Sequence, residues 1–99
     1  MKISQDHVDE VKKQLKIYHS HSDDRLKSFL ESSYLFIKSK CGDFNIEEHN
    51  MGTELMYARV RYMNDDALEY FDDNFKSMMV HFMLKNRGAK HENTDEPIL

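Results

Sequence analysis

The stretch ELMYARVRYMNDDALEYF, residues 54–71, decides the fold that we predict. Placed on a helix, its apolar side chains recur at steps of three or four residues throughout. They are Met56, Val60, Met63, Ala67 and then Tyr70 or Phe71. The cluster Asn64-Asp65-Asp66 is a turn signal, but the apolar spacing continues across it. The sequence therefore predicts one long helix over the whole stretch.

Three more helices are predicted around this one. Ser4 is a candidate N-cap for a first helix, and Ser22, followed by two aspartates, opens a second helix that ends at Gly42. Residues 72–74 are expected to break the long helix, and a short fourth helix follows over residues 75–82. A strand over residues 78–84 is an open alternative, but its alternation is poor because Met79 and Met83 are both apolar.

Together these patterns predict an all-α protein, a small bundle of about four helices with one long central helix. Residues 1–85 form the helical domain. Residues 86–99 lack apolar periodicity and contain the one proline, so we expect a disordered C-terminal tail. Residues 43–52 are expected to form a loop that anchors to the body through Phe44 and Ile46.

Charge and composition argue against several classes of protein. The chain has 99 residues and a net charge of −4 with His neutral, and its Lys and Arg residues are not clustered, which disfavours direct DNA binding. A single cysteine, Cys41, excludes an internal disulfide. The chain has no apolar stretch of the length that a signal peptide or a membrane span needs, so we expect a cytosolic protein.

Catalytic and metal-binding patterns are weak. Acidic pairs occur at four places, but neighbouring residues on a helix point about 100° apart, so they do not form a paired general acid and base. The sequence has no glycine-rich phosphate loop, nucleophile elbow or HExxH motif. His19 and His21 are a weak candidate metal pair without a third His or Cys ligand. We therefore expect no enzymatic activity, no cofactor and no metal.

The polar and aromatic residues of the central stretch favour a role in protein contacts. Tyr57, Arg59, Arg61 and Tyr62 are of the types that anchor protein interfaces. Apolar side chains also lie off the main stripe, for example at Leu55. Either neighbouring helices or another subunit covers them, and the sequence leaves both alternatives open.

Three segments resemble one family, the head–tail connector proteins of long-tailed bacteriophages, also called adaptor or head-completion proteins. The first is VDEVKKQLKIYHSHSDDRLKSFLESS, residues 8–33, and the second is residues 37–42, where a helix ends on glycine. The third, residues 54–75, is similar to the Tyr-Ala-Arg-x-Arg-Tyr and Asp-Ala-Leu-Glu-Tyr-Phe stretches of connectors from phages of Gram-positive hosts. The chain departs from the family at Ser32-Ser33, where alanines are common, and at the acidic pair Asp65-Asp66.

The resemblance implies a structural protein of the virion, assembled in the host cytoplasm. Such proteins form a homo-oligomeric ring, usually of twelve copies, beneath the portal protein at the head–tail interface. The ring extends the channel through which DNA passes without specific binding, and it offers a docking surface to the next connector, stopper or tail protein. No membrane is involved.

From the resemblance and the residue types together we expect an interface at eight residues: Tyr57, Arg59, Arg61, Tyr62, Asp65, Asp66, Phe44 and Ile46. The tail and the loop of residues 43–50 are candidates for reaching the portal or the next ring. One alternative function is a small phage-encoded regulatory protein that acts by protein–protein binding. Another is a DNA-binding helical module, which the charge and the lack of a basic recognition helix disfavour.

Overall fold

The structure, a computed structural model, describes residues 3–90, and within that range it consists of four α-helices and one 3₁₀ turn without any strand. The helices are α1 (Gln5–Leu15), α2 (Asp23–Cys41), α3 (Met51–Asn64) and α4 (Phe71–Lys90). The 3₁₀ turn, Leu68–Tyr70, lies between α3 and α4. The prediction of a small all-α bundle of about four helices is therefore confirmed.

Local sequence determines where α1 and α3 begin. Ser4 precedes α1, and its backbone N–H donates to His7 Nδ1 at 2.9 Å. Asn50 precedes α3, where its side-chain oxygen accepts from the Thr53 N–H at 2.9 Å and its own N–H donates to Thr53 Oγ1 at 3.0 Å. The two bonds between Asn50 and Thr53 are reciprocal, and at both helix starts a side chain satisfies a backbone donor that the helix leaves free.

The prediction of one long helix over residues 54–71 is wrong, because the chain turns at Asp65-Asp66. Asp66 has a left-handed φ of 59°. The N–H of Ala67 donates to the Tyr62 carbonyl at 2.8 Å, and that of Asp66 donates to the Met63 carbonyl at 3.1 Å. This is the Schellman arrangement, which ends a helix by satisfying its last carbonyls. Aspartate tolerates the left-handed conformation better than most residues, so the turn signal outweighs the continuous apolar spacing.

The predicted break at residues 72–74 and the predicted start of the tail at residue 86 are also wrong. Asp72 and Asp73 lie in the first turn of α4, where negative charge is favourable beside the helix dipole. The helix then continues through Asn86 to Lys90. Asn86 Nδ2 donates to the carbonyl of Cys41 at 2.8 Å and ties α4 to the end of α2. The rest of the predicted tail, residues 91–99, lies outside the described residues.

The bundle is built on α2 and α3, which pack against each other in antiparallel directions. At one end Arg25 Nη2 donates to Asn64 Oδ1 at 3.3 Å, and in the middle Arg59 Nη1 donates to Ser33 Oγ at 3.2 Å. Both α1 and α4 contact this pair, but among the described residues they do not approach each other. The N-terminal and C-terminal helices therefore lie on different parts of one central pair.

The core consists of two apolar clusters that share α2 and α3. The first joins α1 to the N-terminal half of α2 and includes Met56 and Val60 of α3. The second joins α4 to the C-terminal end of α2 and includes Leu55 and Ala58. All four of these α3 side chains are at most 1% exposed. Neighbouring helices therefore cover the apolar side chain of Leu55, which lies off the main stripe, within the monomer.

Gly52 allows the residues 43–50 loop to pack closely on α3. A Cβ atom at position 52 would overlap the ring of Phe44. That ring is held between Tyr34, at 5.2 Å between centroids, and Phe82, at 6.0 Å. It therefore has little freedom to move away from an added methyl group.

We predict that Gly52→Ala and Gly88→Ala change stability in opposite directions. Gly52→Ala is expected to lower the free energy of unfolding by about 1–3 kcal/mol, because overpacking a filled site costs this much. Gly88 is exposed in α4, and a methyl group added there would point into open space, so Gly88→Ala is expected to raise stability by about 0.5–1 kcal/mol. Urea unfolding followed by circular dichroism measures both changes. A stabilising Gly52→Ala would contradict the packing described for Phe44.

Candidate interaction surfaces

The four interface residues predicted on α3 lie on two different sides of the helix. Tyr57 and Arg61 are four residues apart and share one side, whereas Arg59 and Tyr62 are three residues apart and share another. At 100° per residue, Tyr57 and Arg59 point about 200° apart. The structure therefore brings these residues together in two pairs, not as one set of four.

Tyr57 and Arg61 line an open groove of about 340 Å³ between α1, the residues 43–50 loop and α3. Five carboxylates line it as well, so we call it the acidic groove: Asp6, Glu10, Glu47, Glu48 and Glu54. His7 is buried at its floor, and its Nε2 lies 3.8 Å from Glu47 Oε2. Arg61 crosses from α3 to α1, where its Nη1 donates to Gln14 Oε1 at 2.7 Å.

Burial and the neighbouring carboxylates keep Tyr57 protonated. Burial, with the negative charges of Glu10 and Glu47, raises the pKa of Tyr57 to about 12. The phenol is half-buried, and at neutral pH it presents a hydroxyl to a groove that is otherwise dominated by negative charge. The arrangement suits the binding of positively charged or hydrogen-bond-donating groups.

Arg59 lies on the other side of α3, against α2. Its guanidinium carbon is 4.3 Å from the centroid of the Phe36 ring. Nη1 donates to the hydroxyls of Ser33 at 3.2 Å and Ser32 at 3.4 Å. Burial lowers the pKa of the Arg59 guanidinium, and the negative charge of Asp72 opposes this shift.

Tyr62 belongs to an aromatic cluster at the junction of α3 and α4. Its ring meets Phe71 and Phe75 edge to face, at centroid distances of 5.7 and 5.6 Å. Phe71 in turn lies 6.4 Å from Phe36. Asn74 Nδ2 donates to the Tyr62 hydroxyl at 2.9 Å, so the ring and the hydroxyl of Tyr62 both hold α3 to α4.

The other predicted interface residues occupy three different environments. Asp65 and Asp66 are exposed at the turn after α3. Phe44 is half-buried against Tyr34, as the anchoring role predicts. Ile46 is only 5% exposed and lies in the first core cluster, so it contributes to the core and has almost no surface to offer a partner.

A second groove, which was not predicted from the sequence, lies between α4 and the end of α2. Its volume is about 250 Å³, and lysines flank an apolar floor, so we call it the lysine-rimmed groove: Lys40, Cys41, Lys76, Met79, Val80 and Met83. Val80 and Leu84, on the adjoining face of α4, are 42% and 54% exposed. One signal in the sequence could have predicted this groove. The apolar residues at 79, 80, 83 and 84 cover a wider face of the helix than a single stripe packed against the core would need.

No metal site is evident in the part of the chain that the structure describes. His19 and His21 have ring centroids 4.8 Å apart, and His19 Nδ1 accepts from the backbone N–H of His21. The described residues contain no group of three or more His, Cys, Asp or Glu side chains placed to hold an ion. None of the described helices has the length and apolar content needed to cross a bilayer.

Comparison with known proteins gives no relative for this chain. It matches no protein-family model, no curated protein and no solved structure.

We predict that Tyr57 contributes a stability that is lost at high pH. A pKa raised from 10 to about 12 means that the folded state holds this proton more tightly than the unfolded state. The contribution is complete below pH 10 and is lost between about pH 10 and pH 12. Urea unfolding at pH 9 and pH 11.5 should therefore show a smaller loss of stability in Tyr57→Phe than in the wild type.

Tyr18, which is 86% exposed, supplies the matched control, because Tyr18→Phe should follow the wild type at both pH values. Equal losses in Tyr57→Phe and the wild type would contradict the burial of the Tyr57 phenol.

Proposed function

We propose that the protein is a structural component of a tailed-phage virion, a head–tail connector that forms a ring beneath the portal protein. In this role it extends the DNA channel and offers a docking surface to the next connector, stopper or tail protein. The proposal gives the protein no chemical step, cofactor or metal. Its work is done by protein–protein contact at the head–tail interface.

The observation that carries the proposal is the presence of two grooves of unlike charge on different helices of one subunit. The acidic groove is formed by α1, α3 and the loop between α2 and α3, and the lysine-rimmed groove by α2 and α4. A ring of identical subunits needs two different surfaces that complement each other, because each copy contacts its neighbours head to tail. Surfaces of opposite charge favour that pairing and disfavour contact between two like surfaces.

The sequence supplies independent support. The Tyr-Ala-Arg-x-Arg-Tyr stretch that resembles connector proteins lies within α3, which contributes to both core clusters and to the acidic groove. The net charge of −4 also suits a channel wall along which DNA slides, because a wall that neutralised phosphates would bind the DNA instead.

The experiment is to mix the protein with its cognate portal protein and to examine the mixture, and each component alone, by negative-stain microscopy and light scattering. The expected result is an added ring at one end of the portal. The increase in mass measured by light scattering gives the number of copies in that ring. The oligomeric state of the protein alone does not test the proposal, because ring contacts can depend on the portal as a template. It is therefore compared with the state of the protein in the mixture.

The double variant Lys40→Glu/Lys76→Glu is expected to reduce ring assembly at least tenfold, since it reverses the charge on the rim of one groove. Lys27→Glu is the matched control, because Lys27 is exposed on α2 and lines neither groove. Glu48→Lys/Glu54→Lys tests the acidic groove and is expected to weaken assembly too, because it reverses two exposed carboxylates that line that groove.

Two results would count against the proposal. One is a stable small oligomer with no affinity for the portal, which would favour the regulatory protein that acts by protein–protein binding. The other is ring assembly that tolerates both Lys40→Glu/Lys76→Glu and Glu48→Lys/Glu54→Lys, which would remove the two grooves from the subunit contact.

A further inference from the structure

Arg59 is a positively charged side chain whose hydrogen-bond acceptors in the fold are all uncharged. Its Nη1 donates to two serine hydroxyls and lies 3.6 Å from the sulfur of Met63. The face of its guanidinium rests on the ring of Phe36. These contacts fix the plane of the group, but none of them neutralises its charge.

One donor of the Arg59 guanidinium is buried without any acceptor. The Nε atom is inaccessible to solvent and makes no hydrogen bond. No carboxylate of the described residues lies within 4.0 Å of the Arg59 nitrogens, where an ion pair would form. Asp72 influences Arg59 electrostatically, but only from beyond that distance. The fold therefore removes water from part of a cation without supplying an anion, which is unfavourable on its own.

The surroundings of Arg59 leave access for a group from another molecule. Arg59 is only half-buried, and Ser32 beside it is exposed. The next turn of α2 does not close off this side, because Leu35, three residues after Ser32, is 61% exposed. An incoming side chain would thus meet a guanidinium whose plane is already fixed, and arginine is a common anchor of protein interfaces.

We propose that Arg59 binds the carboxylate of an aspartate or glutamate side chain from a second protein subunit. This inference rests on the proposed function for the identity of that second protein, either another connector subunit or the portal. A planar guanidinium matches a carboxylate through parallel N–H···O bonds. Pairing would supply the neutralising negative charge that the fold does not, while the buried Nε itself stays without an acceptor.

A nucleic-acid phosphate is the less suitable anion. Binding to a phosphate backbone depends on several clustered cations, whereas Arg59 has the negative charge of Asp72 nearby and the chain as a whole carries −4. A single protein carboxylate, in contrast, can be bound by one guanidinium.

The first experiment uses acetate as the probe and does not depend on any partner. In ¹⁵N NMR of the full-length protein, the side-chain Nε–H signals of Arg59 and Arg25 are followed as acetate replaces chloride at constant ionic strength. Arg25 is the matched control, because it also lies over an aromatic ring, Phe29 at 5.4 Å, but is exposed and donates to Asn64. The Arg59 signal should saturate at an acetate concentration at least about tenfold lower than the Arg25 signal.

The second experiment separates a role in binding from a role in the fold. Arg59→Met keeps an apolar side chain over Phe36 and removes the charge, so its thermal unfolding midpoint is expected to equal or exceed that of the wild type. Its affinity for the portal should fall at least about tenfold. Arg59→Lys should also bind more weakly than the wild type, because an ammonium group lacks the planar fork. Arg25→Met should leave portal binding unchanged.

The two experiments give distinguishable failures. If the wild type does not bind the portal but Arg59 still prefers acetate, the proposed function fails and the carboxylate site stands. The inference is overturned if Arg59 binds acetate no better than Arg25, or if inorganic phosphate or duplex DNA saturates the Arg59 signal at lower concentration than acetate. It is equally overturned if Arg59→Met lowers the unfolding midpoint, or if it binds the portal as tightly as the wild type does.

Discussion

The structure depends on the antiparallel packing of α2 against α3. Two stripes of α3 are buried there, Met56 and Val60 in one cluster and Leu55 and Ala58 in the other. A small chain buries a limited share of its surface, so a helix that contributes to two clusters is worth more than one with a single apolar face. Because α1 and α4 each attach to a different part of this pair, the N-terminal and C-terminal helices make no direct contact with each other among the described residues.

The same packing divides the polar residues of α3 into two surfaces. Tyr57 and Arg61 face the acidic groove, whereas Arg59 faces α2 and Tyr62 faces α4. The helical period alone separates these residues into two directions, although their residue types had suggested one set. The helical period gives the direction of each side chain, but it does not show which neighbouring residues lie there. That environment depends on residues far away in the chain, such as Phe36 beneath Arg59 and Gln14 beside Arg61.

The proposed contact of Arg59 is inferred from a local cost in the fold. A fold selected for stability alone gains nothing from a partly desolvated cation, since an apolar side chain of similar size would pack there without losing its hydration. Violations of this kind are concentrated at functional sites. Each of the two grooves likewise gathers charges of mainly one sign, five carboxylates in the acidic groove and two lysines at the lysine-rimmed groove.

The sequence by itself determined the fold class, the second helix with its end at Gly42, and the starts of α1 and α3 to within a residue or two, because capping and apolar periodicity act between neighbours in the chain. The end of α3 is a case of competing local signals, in which the left-handed turn at Asp66 prevailed over spacing that looked continuous. Only the tertiary structure decided the grooves, the placement of Arg59 over Phe36 and the burial of Ile46. These features arise where helices cross, and the crossing depends on how side chains from distant segments fit together, which no local pattern encodes.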